Sequence, residues 1–263
     1  MTSYPVVIKV GGALLENTTA TDTLFQHIQA LSVSRPVVLV HGGGPVVETL
    51  MAKLALTSTK LDGLRVTPDE HMPYICAALA GTANKMLCAA AISHQLIPVG
   101  LSLLDGNLVK CHSKAPQYGA VGSPEPADAT LLKNLLVQDY LPVVSSIGCD
   151  DTGRLLNINA DEAATVIARL LQAQLMLLSD VTGVMDASGQ VLETLDANRI
   201  NALVASRTIT DGMQVKTAAA LQAATTLQRP VIIGSWQADL SALLAHAGGT
   251  RVVPLPPTQE LDI

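Results

Sequence analysis

Aromatic side chains are scarce in this sequence: 1 Phe, 1 Trp and 4 Tyr among 263 residues. So few rings leave little on which bases of a single strand could stack, and the interior has to be built from Ala, Val, Leu and Ile. Blocks of like charge are also missing. The 16 Lys and Arg against 22 Asp and Glu give a net charge of −6, the wrong sign for a phosphate-backbone footprint, so no nucleic-acid partner is expected. The four cysteines, Cys76, Cys88, Cys111 and Cys149, include no CxxC pair and no His at zinc-finger spacing; reduced, packed thiols are expected in place of a disulfide frame or a metal knot. Mean hydropathy is high, +0.37, yet no uninterrupted apolar run reaches the roughly 18 residues that would span a bilayer. The first residues lack a basic n-region, and Val6-Val7-Ile8-Lys9-Val10 is too short and too charged for a signal core. A cytoplasmic protein with no membrane partner is therefore expected. Neither a GxxxxGK[ST] loop nor a GxGxxG with its distal acid occurs.

What is present is an alternation of short β-branched runs with Ala- and Leu-rich helical stretches, the signature of βαβ units around a parallel sheet. Strands are predicted at 6–10, 36–40, 97–103, 141–146, 175–179, 231–233 and 250–253, most of them continuous apolar runs that suit burial on both faces. Helices are predicted near 21–33, 46–56, 86–95, 127–138, 161–172, 213–227 and 241–247. Two stretches, 107–121 and 153–159, read as hairpin excursions from the sheet. With no Pro/Gly/Ser linker, residues 1–263 are expected to form one α/β domain, a three-layer αβα sandwich around a mostly parallel open sheet, with any boundary between lobes near Gln172.

Several segments carry possible chemistry. Lys9 sits near the carboxyl end of the first strand, where open α/β sheets bind ligands, and Gly11 and Gly12 behind it would let backbone approach a phosphate; a glycine turn beside a snorkelling lysine reads equally well. The second strand runs into His41-Gly42-Gly43-Gly44-Pro45. Pro45 suits a first helical position, and glycines before it leave amides facing outward at the positive end of a helix dipole, an anion cradle. His41 reads as a structural histidine. Lys216 follows Thr210-Asp211, an N-cap signal. In a first turn it would oppose the dipole by about 0.3 to 1 kcal/mol, which a bound phosphate would offset. Asn159 and Glu162 make a capping box, so Asp161 is either a favourable first-turn acid or a counter-ion for two lysines, with Asn157 as an amide reader of a polar ligand. Arg65, just before an expected helix start at Thr67-Pro68, offers a bidentate fork for a carboxylate or an ordinary surface ion pair. Ser179-Asp180-Val181-Thr182-Gly183-Val184-Met185 ends a buried strand and either holds a nucleotide or simply turns.

Seven segments in order resemble the amino acid kinase family over nearly the whole chain: Lys9-Val10-Gly11-Gly12, His41-Gly42-Gly43-Gly44-Pro45, Gly63-Leu64-Arg65-Val66-Thr67, Ala78-Leu79-Ala80-Gly81-Thr82-Ala83-Asn84-Lys85, Asn157-Ile158-Asn159-Ala160-Asp161, Leu178-Ser179-Asp180-Val181-Thr182-Gly183-Val184 and Ile209-Thr210-Asp211-Gly212-Met213. The third and fifth are similar to the branch acting on N-acetyl-L-glutamate and unlike the aspartate, carbamate and uridylate kinases. The resemblance implies phosphorylation of that substrate's side-chain carboxylate by ATP with Mg²⁺, a step of arginine biosynthesis. It implies that Lys9 and Lys216 stabilise the transferring phosphoryl group and that Asp161 orients both. Gly11, Gly12, Gly43 and Gly44 would supply amides, Arg65 would bind the α-carboxylate and Asn157 the amide region. Asp180, Val181, Thr182, Gly183, Val184 and Met185, with Thr208, Ile209 and Thr210, would line the nucleotide site. Residues 1–172 would then form the lobe for substrate and dimerisation, and 173–263 the ATP lobe. Arginine-regulated members carry an extra N-terminal helix, whereas only Met1 to Pro5 precede Val6 here, so an arginine-insensitive homodimer is expected. A non-catalytic sensor, or a kinase for another carboxylate, is the competing expectation.

Overall fold

The computed structural model describes residues 4–61 and 63–255. In chain order the first half contains β1 (Val6–Val10), α1 (Thr18–Ser32), β2 (Val37–His41), α2 (Gly44–Lys53), β3 (Thr59–Leu61), β4 (Leu64–Val66), α3 (Met72–Cys76), α4 (Asn84–Ser93), β5 (Pro98–Ser102), β6 (Val109–Ser113), β7 (Val121–Pro126), α5 (Thr130–Val137) and β8 (Leu141–Ser145). It continues with β9 (Ile147–Cys149), β10 (Leu155–Ile158), α6 (Ala160–Leu171), β11 (Gln174–Ser179), β12 (Thr194–Leu195), α7 (Ala197–Ala205), α8 (Asp211–Leu227), β13 (Val231–Ser235), α9 (Leu240–Leu244) and β14 (Thr250–Val252).

Eight strands form the central sheet in the order β12-β14-β13-β11-β1-β2-β8-β5. All neighbours run parallel except β13 and β14. Side chains alternate across each strand, and the two cores divide accordingly. Val7, Val38, Val40, Leu175 and Leu177 face the core shared with α6 and α8, while Val6, Ile8, Val10, Leu39 and Met176 face α1, α4 and α9, where Phe25 is fully buried. Burial of both faces explains the continuous apolar runs. The expected αβα sandwich is what the chain forms. Its strand order reverses around β1: β2 lies on one side and β11 on the other. Such a switch point opens a crevice at the carboxyl ends of the strands.

The two predicted excursions do not stand apart. They pair as β6-β7-β10-β9 into one four-stranded sheet, because β10 returns parallel to β7 through Asn157 and Ile158. The β3–β4 hairpin and α7 are not legible in the sequence, whereas the helical run from Asp69 through α3 follows the helix start expected at Thr67-Pro68. Residues Asp69–Ser93 form one helical run, with a π-helical stretch over Ala77–Ala83, and by length and composition that run could cross a membrane. This corrects the reading that no such stretch exists: polar Asn84 and Lys85 hide it from a search for unbroken apolar residues. Nearly half of its most apolar window is buried, with Ile75, Ala78, Leu87 and Ala91 in the cores, as in a core helix. All four cysteines are free thiols.

Candidate active site

Alternation along β1 puts Lys9 on the same face as Val7, the face covered by α6. There Lys9 Nζ meets Asp161 Oδ1 at 2.9 Å, with the side chains only 17% and 27% exposed. Asp161 lies in the first turn of α6, where an acid also complements the helix dipole. Asn159 caps that helix: its Oδ1 accepts from the amides of Asp161 at 2.8 Å and Glu162 at 3.3 Å. Only that half of the predicted capping box is seen, since the Glu162 carboxylate instead accepts a 2.7 Å bond from Lys114 Nζ. Lys114 follows β6, so this pair ties the small sheet to α6.

Lys216 converges on the same place from α8. Burial pushes its ammonium below the ordinary lysine value; Asp180 opposes the shift, Lys9 adds to it, and Asp161 opposes it more weakly. Two details differ from expectation. Helix α8 begins at Asp211, two residues earlier than predicted, so Lys216 lies in the second turn, where the dipole conflict has largely faded. Its hydrogen bond goes to Ser179 Oγ, while Asp161 makes its ion pair with Lys9. In the sequence Ser179 reads as the end of a strand opening a nucleotide-binding or turning segment, with no sign of a bond to Lys216. Lys216 is 37 positions away in sequence, and no local pattern signals such a pairing. Thr210 occupies the N-cap position, but its side chain caps nothing.

The two glycine loops abut. A Cβ on Gly12 would lie 2.7 Å from Pro45 Cδ, 2.8 Å from Gly43 Cα and 2.8 Å from Gly44 N, so close approach of backbone to backbone is what this glycine permits. Gly11 and Gly44 face open space. Gly44 is the first residue of α2, with Pro45 next and no side-chain cap at Gly43; first-turn amides are therefore free to meet an anion. His41 is buried beneath this loop. Its Nδ1 donates to the Gly42 carbonyl at 2.8 Å and its Nε2 accepts from Asn84 Nδ2 at 3.1 Å. Burial pulls its pKa down to about 4, leaving a neutral structural imidazole, as expected.

Beside the second loop lies a cleft of about 210 Å³ whose walls include Gly43, Gly44, Arg65, Ser146 and Asn157. Asn157 Nδ2 donates to Thr67 Oγ1 at 3.2 Å, which fixes the amide plane. Arg65 pairs with Glu48 at 2.8 Å and donates to Ser58 Oγ, so both of its expected forms meet here: it lines a cavity and is ion-paired. Around the crevice, Asp180, Thr182, Met185 and Thr210 are exposed, Val181 and Thr208 half-buried, and Gly183, Val184 and Ile209 buried. Val184 is fixed by a 2.8 Å bond from its amide to Thr250 Oγ1. The arrangement gathers Lys9, Lys216 and Asp161 next to the glycine loops and the Arg65–Asn157 cleft, and leaves the 180–185 and 208–210 segments at the edge formed by β11 and α8. Among the described residues, no group of three His, Cys, Asp or Glu side chains could hold a metal.

Two amines, a counter-ion and uncapped amides at a sheet switch point can grip a phosphoryl group in flight, and relatives of the chain carry that chemistry in their names. An acetylglutamate kinase of Vibrio cholerae serotype O1 is 47% identical over 255 residues, covering 95% of this chain and 97% of its own. One from Serratia proteamaculans is 49% identical over 254 residues, covering 95% and 99%. The crystal structure of smu.665 from Streptococcus mutans superposes with a TM-score of 0.78 at 27% identity, over 94% of this chain and 98% of that one. A carbamate kinase from Giardia shares the fold alone, at 18% identity and a TM-score of 0.69, over 97% of this chain and 100% of its own. The model of the amino acid kinase family matches residues 5–235, a span that takes in Lys9, Arg65, Asn157, Asp161 and Lys216, and the chain belongs to that family.

Proposed function

We propose that this enzyme uses ATP to phosphorylate the side-chain carboxylate of N-acetyl-L-glutamate, giving an acyl phosphate and ADP in arginine biosynthesis. The observation that carries the reading is the convergence of Lys9, Asp161 and Lys216 beside a cleft walled by Arg65 and Asn157. A carboxylate is already nucleophilic at neutral pH, so no general base is needed, and catalysis rests on alignment and charge neutralisation. The carboxylate oxygen attacks the γ-phosphorus as the bond to the β–γ bridging oxygen breaks. Lys9 and Lys216 take up charge on the transferring group, and Asp161 holds Lys9 in line. Gly11, Gly12, Gly43 and Gly44 turn amides toward the phosphates and reacting carboxylate. Arg65 grips the α-carboxylate and Asn157 the acetamido group. Asp180 to Met185 and Thr208 to Thr210 receive the nucleotide. Mg²⁺ would accompany the nucleotide and screen the phosphate charge.

Residues 1–172 then serve the acylated amino acid and residues 173–263 serve ATP. Gln172 is itself the left-handed C-cap of α6, where the chain turns into β11. A cytoplasmic homodimer accords with the four free thiols and with the edge strand β5, next to which Met86, Ile92 and Ile97 leave apolar surface exposed. Insensitivity to arginine completes the reading. Hydroxylamine trapping of acyl phosphate, with ATP, Mg²⁺ and N-acetylglutamate, glutamate or aspartate, tests it. N-acetylglutamate should be the preferred acceptor; absence of product with all three, or preference for free glutamate, overturns it. Sedimentation should give a dimer and millimolar arginine should leave the rate unchanged.

A further inference from the structure

Arg65 is fastened from outside its own hairpin. It stands on β4, opposite Lys60 of β3, and its side chain is 11% exposed. The anchoring carboxylate is Glu48 Oε1, 2.8 Å from Nη2, on α2. Ser58 closes a triangle: its Oγ accepts from Arg65 Nη1 and lies 3.4 Å from Glu48 Oε1 as a donor. The guanidinium beside Glu48 holds that carboxyl below the usual range, with a smaller contribution from Lys60, so the pair is ionised at neutral pH. Glu48 itself is 49% exposed, and an ion pair so open to water adds little to fold stability.

Its position gives it another use. Helix α2 starts at Gly44, which lines the cleft, and Glu48 comes four residues later, about one turn along the same rigid rod. One helix thus carries both the amides that meet the reacting carboxylate and the anchor of the arginine that meets the α-carboxylate. The separation of those two grips is fixed by a helix in place of a loop. Arginine has five donors in a planar fork; Glu48 and Ser58 occupy one on each terminal nitrogen, which leaves others for a ligand and sets the fork's plane.

We propose that Glu48 is a positioning residue that sets the chain length of the dicarboxylic substrate, by fixing Arg65 relative to the Gly43–Gly44 amides. The proposal rests on the reading of Arg65 as the α-carboxylate grip. A substrate one methylene shorter would reach both grips less well, and one methylene is worth about 10- to 200-fold in discrimination.

The test measures kcat and KM for N-acetylglutamate and N-acetylaspartate, and KM for ATP, in the full-length protein and in Glu48→Gln, Glu48→Asp, Ser58→Ala, Arg65→Ala and Arg65→Lys. Glu48→Gln should raise KM for N-acetylglutamate about tenfold or more, change kcat and the KM for ATP much less, and narrow the preference over N-acetylaspartate. Ser58→Ala should do the same more weakly. In the Arg65→Lys background, which lacks the fork, Glu48→Gln should add nothing further. If Arg65→Ala leaves KM for N-acetylglutamate unchanged, the α-carboxylate reading falls. If Arg65→Ala raises it while Glu48→Gln alters neither KM nor chain-length preference, that reading stands and the positioning role is overturned.

Discussion

Replacing Asp161 by Asn removes one charge and almost no volume, and it separates what the acid does for the fold from what it does for phosphoryl transfer. At 2.9 Å the Lys9–Asp161 attraction is about 6 kcal/mol for an effective dielectric near 20. Desolvation cancels much of this. With side chains 17% and 27% exposed, the net loss should fall between those of exposed and fully buried pairs, about 1 to 3 kcal/mol. The cap of α6 survives, because Asn159 makes it. What changes is the local balance: Lys9 and Lys216 already repel each other, and without Asp161 they face one another with Asp180 as the remaining nearby acid. ATP should bind as well as before or better, since the site becomes more positive. The amines, however, lose their fixed geometry, and kcat should fall by about 10²-fold, the scale of removing one aimed charge donor. Urea unfolding supplies the stability change, and initial rates at saturating N-acetylglutamate supply kcat and the KM for ATP. A kcat within threefold of the parent, or a large rise in KM for ATP with kcat preserved, would refute the reasoning.

Other outcomes follow from neighbouring features. If Lys216 neutralises phosphate as proposed it must be protonated, and burial lowers its pKa in the free protein, so kcat/KM for ATP should decline as pH rises through a value below that of ordinary lysine; Ser179→Ala should move that decline to lower pH, and Ser179→Thr should restore it. Gly12→Ala should lower both stability and activity, because its Cβ would strike backbone of the second loop at 2.8 Å, whereas Gly44→Ala, with open space around the added atom, should leave the melting temperature within a degree or two and impair turnover. His41 has its pKa lowered from 6.5 to about 4 in the folded chain, so the unfolded chain binds the proton first as pH falls; stability should drop from pH 6.5 downward, by about 3 kcal/mol at pH 4 from this group alone, and a proton-exchange titration showing His41 charged at pH 6 would contradict it.

Much of the fold is legible because burial on both faces writes strands as largely aliphatic runs: β1, β2, β8, β11 and β13 lie where those runs are. The hairpin β3–β4 was not, since Thr59, Lys60 and Leu61 are all exposed and carry no apolar alternation. The small sheet was read as two excursions because the parallel pairing of β10 with β7 joins segments distant in the chain. At the site, Lys9, Gly11, Gly12, Gly43 and Gly44 announced themselves locally, through a charge in a strand and glycines ahead of a helix. Ser179, Glu48 and Ser58 did not. Each matters through a partner brought close only by the fold, and each has an ordinary local explanation as a strand end, a helix surface or a loop.

The place of β1 in the sheet has a mechanical consequence. It is paired along its whole length with β2 on one side and β11 on the other, so the strand bearing Lys9 is stitched to both halves of the chain at once. Pulling the halves apart would tear a ladder of backbone hydrogen bonds inside a dry core, where each orphaned group is costly. Any movement that admits a ligand is therefore expected above the sheet, in the hairpin and the loops after β11 and before α8, with Lys9 held still on β1.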